Sequence, residues 1–115
     1  MTTQKFEEDV EVLKSFFPIF CNDNHKHQIK KNYVFKYKSE EYYFQTNLCV
    51  ECHNLLNYSL QKLKECPHDI KPKCRKCPSP CYEKPQWKTL AKLMKYSGIK
   101  LGYIKIKNKL TELLR

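Results

Sequence analysis

Seven cysteines in 115 residues fall into groups whose spacing suits a metal ion better than any other thiol chemistry. Cys49 and Cys52 form one C-x2-C pair and Cys74 and Cys77 a second. At this spacing two sulfurs from one tight turn or helix start can reach a single ion. Cys66 and Cys81 flank the second pair, giving C-x7-C-x2-C-x3-C, enough thiolates for a closed tetrahedral site. The first pair needs two more donors, and Cys21 with His25, at x3 spacing, supplies them. The two sets are then Cys21, His25, Cys49 and Cys52, and Cys66, Cys74, Cys77 and Cys81, with no thiol left over. His27 and His53 compete with His25 for its place, and His68 could replace a member of the second set, although each also reads as an ordinary surface or turn residue.

Two zinc ions are the expected cofactors, because four thiolates, or three thiolates and an imidazole, are usual zinc sets. An iron-sulfur cluster is the alternative. The C-x2-C-x3-C run resembles the end of a ferredoxin-type motif, but that motif has a further cysteine one x2 step earlier and a proline directly after the last. Here Cys66 lies seven residues back, and Pro78 and Pro80 sit inside the last gap. A disulfide framework fits poorly with an odd cysteine count. The acidic start, MTTQKFEEDV, lacks the basic-then-apolar pattern of a secretory signal, and no run reaches the ~20 apolar residues of a membrane span. The expectation is a soluble cytoplasmic chain with reduced thiols and no membrane partner. Nothing resembles a nucleophile-base-acid arrangement or a phosphate loop, and matched ligand sets leave no open catalytic position, so the sequence does not point to an enzyme.

The elements that must position these donors read as mainly α, a small helical domain with metal-stapled cysteine loops and a β-hairpin insertion. One domain, 1–115, is expected at this length. Residues 1–27 give a helix and the first ligand loop: Phe6, Val10, Leu13 and Phe17 recur at helical spacing over 4–17, Pro18 ends or bends the helix, and Cys21, His25 and His27 follow in a polar loop. Residues 28–46 form the hairpin insertion, with aromatic and β-branched runs on either side of Ser39, Glu40 and Glu41. An aromatic helix is the other reading of this stretch. Residues 47–83 carry a C-x2-C helix, Leu55, Leu56, Leu60 and Leu63 on one face, ending near Cys66-Pro67, and then the cysteine/proline loop. That loop, 66–85 with its flank, holds five of the six prolines. It has too little apolar area to offset an ordering cost of ~1.5 kcal/mol per residue. Structural zinc, contributing roughly 10–16 kcal/mol, is of the right scale to fold it.

Residues 84–115 are basic helices. Trp87, Leu90, Ala91 and Met94 are expected inward, with Gly98 as the C-terminal cap. Beyond it, Ile104 to Lys107 alternates like a strand while Leu110, Leu113 and Leu114 space like a helix; a terminal helix is favoured. The net charge of +10 concentrates here, with eight lysines and Arg115 against Glu112 alone. Lys84, Lys88, Lys92 and Lys95 step down one helical face and are the candidate nucleic-acid contacts. A solvated face is the more usual explanation of such a row, and Lys71, Lys73, Arg75, Lys76 and Lys84 are accounted for as counter-charges to a thiolate site.

The order Cys21-x3-His25, "LCVEC" (48–52), "LLNYSLQKLKECPHD" (55–69), "KPKCRKCPSPCY" (71–82) and "MKYSG" (94–98) resembles the nitrous oxide-stimulated promoter family, small bacterial proteins of the nitrosative-stress response. The likeness spans residues 13 to 115 and makes those eight ligands its signature positions. It departs where Asn24 stands in place of a histidine adjacent to His25, and in the hairpin stretch, which carries no family role. The resemblance implies a metal-binding accessory or regulatory role during nitric oxide exposure, with no activity or protein partner specified. An iron-sulfur redox or nitric oxide sensor and a zinc-stabilised nucleic-acid module remain the alternatives.

Overall fold

The stripe Phe6, Val10, Leu13, Phe17, at spacings of three and four, dictates an amphipathic helix, and all four side chains are buried. The computed structural model describes residues 2–66 and 82–113, with 103–113 described by their backbone alone. Helix α1 is Thr3–Asn24, capped by Thr2, whose hydroxyl accepts from the Lys5 N–H at 3.2 Å. Pro18 does not end it. Proline inside a helix costs about 3 kcal/mol and strips the carbonyl four residues back of its partner. That carbonyl belongs to Lys14, which is exposed to water, while Phe20 and Cys21 beyond the proline are buried and hold the last turn in place. Cys21 therefore sits on a helix and not in the expected loop.

Strands β1 (Ile29–Tyr37) and β2 (Glu40–Leu48) pair antiparallel with Tyr33 opposite Phe44. The period is two: Tyr33, Tyr37, Phe44, Thr46 and Leu48 face the core, which decides against the aromatic helix. Tyr33 and Phe44 stack at 5.0 Å between ring centroids, and Tyr37 stacks on Phe6 of α1 at 3.9 Å. Lys38 and Ser39 make the turn, both with positive φ, 48° and 70°, one residue earlier than the Ser39-Glu40-Glu41 centre expected.

Helix α2, Val50–Lys64, buries Leu56, Leu60 and Leu63 and leaves Leu55 half-buried. Helix α3, Lys84–Leu113, is a single helix of 30 residues, so Gly98 is no cap. Neither Gly98 nor Gly102 has positive φ, and Gly98 lies against Phe16 of α1. The inward stripe of α3 is Leu90, Leu93 and Ser97, flanked by half-buried Trp87 and Met94. Ala91, expected inward, is exposed, because the stripe follows Leu93 and turns away from it. Ser97, wholly buried, donates its hydroxyl to the Phe16 carbonyl at 2.7 Å. The core thus lies between α1 and the other elements, with Phe6, Phe17, Leu48, Leu56 and Leu93 as its largest fully buried side chains.

Candidate metal centre

Four donor groups meet where the end of α1, the loop after it and the start of α2 converge. The sulfurs of Cys21, Cys49 and Cys52 and a ring nitrogen of His25 all lie within 4.8 Å of one another. His25 Nδ1 is 3.4 Å from Cys49 Sγ and 3.3 Å from Cys52 Sγ. Zinc bonds of about 2.3 Å to sulfur and about 2.0 Å to nitrogen put the corners of a tetrahedron roughly 3.5–3.8 Å apart, so these donors fit one ion. The three cysteines are buried and His25 is half-buried, which closes the set to bulk water on most sides.

Local structure explains each placement. Cys21 extends the buried stripe of α1 one turn past Phe17. His25 caps that helix with extended backbone, its N–H donating to the Cys21 carbonyl at 2.8 Å. Gln28 then clamps the loop: its side-chain amide donates to the Cys21 carbonyl at 3.1 Å and the His25 carbonyl at 2.9 Å, and lies 3.6 Å from Cys21 Sγ. At the start of α2, Cys49 is the N-cap residue and its sulfur accepts from the Cys52 N–H at 3.4 Å. Sulfur here takes the place of the usual hydroxyl or carboxylate oxygen. The Cys49 N–H in turn donates to Cys21 Sγ at 3.2 Å.

The two thiols at the start of α2 are shifted in opposite directions. Burial pushes Cys49 up, but the Cys52 N–H, the Cys52 and Cys21 side chains and the Glu51 N–H outweigh it and hold Cys49 below the ordinary thiol value. Burial, reinforced by Cys49 and Cys21, pushes Cys52 well above it. The helix N-terminus favours the anion at Cys49, and like-charge neighbours then resist a second. A bound cation is what would let Cys49 and Cys52 ionise together.

The remaining histidines are placed elsewhere. His27 is exposed, with φ 62°, and turns the chain back toward β1. His53 is wholly buried. Its Nδ1 lies 2.7 Å from the Tyr33 hydroxyl and its Nε2 2.6 Å from the Ile29 carbonyl. The tautomer that satisfies both accepts at Nδ1 and donates from Nε2, leaving no lone pair for an ion. Cys66, half-buried, packs against the core outside this cluster. Cys74, Cys77 and Cys81, its expected partners, lie outside the described residues, as does His68.

Two supports carried no sequence signal. Gln28 is one, since an amide in a polar loop has no distinctive pattern. The other ties α1 to α3 behind the cluster: Asp23 accepts from the Tyr96 hydroxyl at 2.7 Å and from the Lys100 ammonium. The Lys100 and Tyr96 hydrogen bonds hold the Asp23 carboxyl below its usual range. Tyr96 meets Phe20 edge-on at 5.5 Å, and Phe20 meets the His25 ring at 5.4 Å. Lys84, Lys88, Lys92 and Lys95 are all exposed on α3. Tyr58, Tyr82 and Trp87 form a chain of edge contacts between α2 and α3 at 5.4 Å and 5.6 Å. Among the described residues no helix is long and apolar enough to cross a membrane.

A family model described as nitrous oxide-stimulated promoter matches residues 4–107, a span that includes all four clustered donors, the hairpin and most of α3. No curated protein and no solved structure matches the chain.

Proposed function

The chain belongs to the nitrous oxide-stimulated promoter family, and we propose that it is a cytoplasmic zinc protein with an accessory or regulatory role in the nitrosative-stress response. The observation that carries this reading is the convergence of three sulfurs and one imidazole nitrogen within 4.8 Å. Cys21, His25, Cys49 and Cys52 would hold one zinc ion, and Cys66, Cys74, Cys77 and Cys81 a second. Bound zinc supplies a cross-link between helix ends and keeps three neighbouring thiols ionised at neutral pH.

The chain's own residues do the positioning. Cys21 and His25 fix the end of α1, Cys49 and Cys52 fix the start of α2, and Gln28 holds the loop between them in register. An S-nitrosothiol can pass its nitrosyl group to one of these sulfurs: the donor S–N bond breaks, a protein S–N bond forms, and the donor leaves as a thiolate with no net change in electrons. The modified sulfur is a poorer ligand, so the two helix ends are released from each other.

Anaerobic purification under reducing conditions, followed by metal analysis and an absorption spectrum, tests the assignment. Zinc near two equivalents per chain and a colourless solution are expected; a brown chromophore with iron and inorganic sulfide would replace zinc with a cluster. Exposure of the loaded protein to an S-nitrosothiol should then release zinc, read with a chromophoric chelator. Unchanged zinc content would leave the ions a purely structural role.

A further inference from the structure

Beside the cluster, α2 and α3, with Phe20 of α1, line an open cleft of about 640 Å³, within the range of small-molecule sites. Cys52 and His25 form part of its wall, so whatever sits in the cleft lies against two of the clustered donors. The polar lining is specific in kind. Lys88 and Lys92, one helical turn apart, are exposed and form no ion pair among the described residues. Glu51 contributes one carboxylate from α2. Gln86 also lines the cleft.

Two cations and one anion beside a thiol describe the complement of a small peptide thiol carrying two carboxylates and an ammonium group. We propose that the cleft binds a carboxylate-bearing low-molecular-weight peptide thiol, and that its S-nitroso form is the nitrosyl donor to Cys52. The inference rests on the nitrosative reading of the cluster and adds the donor's chemical class to it. The carboxylates face Lys88 and Lys92, and the ammonium faces Glu51. In the transfer the Cys52 sulfur, as a thiolate, forms the new S–N bond while the peptide's S–N bond breaks and the peptide leaves as its thiolate; where Cys52 starts as a thiol, that leaving thiolate takes up its proton. Lys88 and Lys92 thus bind a small anion, whereas Lys84 and Lys95, on the same row, do not line the cleft.

Glutathione and its derivatives are suitable probes. Two-dimensional NMR titration of the zinc-loaded protein with S-methylglutathione, which cannot react, should shift the amides of residues 51–55 and 86–92 and saturate. Lys88→Glu/Lys92→Glu should weaken that binding about tenfold while leaving the melting temperature and zinc content unchanged, since both side chains are exposed. With S-nitrosoglutathione the same double variant should be modified at Cys52, read by mass spectrometry, about tenfold more slowly, whereas with the nitrosothiol of 2-mercaptoethanol its rate should equal that of the unmodified protein. Equal rates of wild type and variant with both donors, or no saturable shifts with S-methylglutathione, overturn the cleft proposal. Saturable, lysine-dependent binding without modification of Cys52 by either donor removes the nitrosyl transfer and leaves the cleft as a peptide-thiol site. Lysine-dependent retention of a DNA or RNA duplex in place of S-methylglutathione binding would assign the row to nucleic acid instead.

Discussion

Gln28 donates no ligand, yet it ties the backbone of both Cys21 and His25 into one loop geometry. Partners of this kind typically contribute 10–100-fold to metal affinity. Gln28→Ala is therefore expected to lower zinc affinity by at least tenfold, measured by competition with a chelator, with all four donors intact. His53 shows why residue type alone could not choose the imidazole. It adjoins Cys52 in sequence, but burial commits both its nitrogens to Tyr33 and Ile29. Burial also pushes the Tyr33 hydroxyl up to about 12, against an ordinary value near 10. The folded chain keeps that proton where the unfolded chain has lost it. Stability from Tyr33 is complete below pH ~10 and is lost as pH rises through about 12. Tyr33→Phe should flatten this part of the stability-pH curve in urea titrations, and at neutral pH should cost about 1–2 kcal/mol by leaving His53 Nδ1 unpaired.

Elements were legible in the sequence where periodicity was strong and opaque where a single residue carried a stop signal. The α1 and α2 stripes and the hairpin's alternation gave the right element types, because hydrophobic period reports directly on which face is buried. Pro18 and Gly98 misled. Each usually stops a helix, but Phe20 and Cys21 on one side and the α1–α3 contact at Phe16 and Ser97 on the other supply packing that overrides local preference. The spacing Cys21-x3-His25 was visible, but its geometry depends on the helix running past Pro18 to place Cys21 on the buried stripe. The hairpin turn offers a test at this scale. Ser39 holds φ 70°, a conformation that glycine adopts without steric penalty. Ser39→Gly should raise stability by about 0.5–1 kcal/mol in chemical denaturation, with the strand register unchanged.

For the whole molecule, the core holds the elements together, and an ion at the cluster would share that work. Leu93 is wholly buried, and Leu93→Ala should cost about 2–5 kcal/mol whether or not zinc is bound. Chelation acts on other parts of the same fold: it should lower the melting temperature by loosening the α1–α2 junction, and readdition of zinc should restore it. The hairpin that read as an insertion is built into this core through Tyr33, Tyr37, Phe44 and Leu48, and only the tertiary structure could show that. Its two ends begin and finish beside the cluster, with Cys21 and Cys49, 28 residues apart, touching through an N–H···S bond. An ion seated there would close the intervening ring before either sheet edge is zipped, sparing the chain that search. Refolding in stopped-flow mixing should then run faster with zinc present, so the speed at which the protein forms would itself report how much of the metal is available to it.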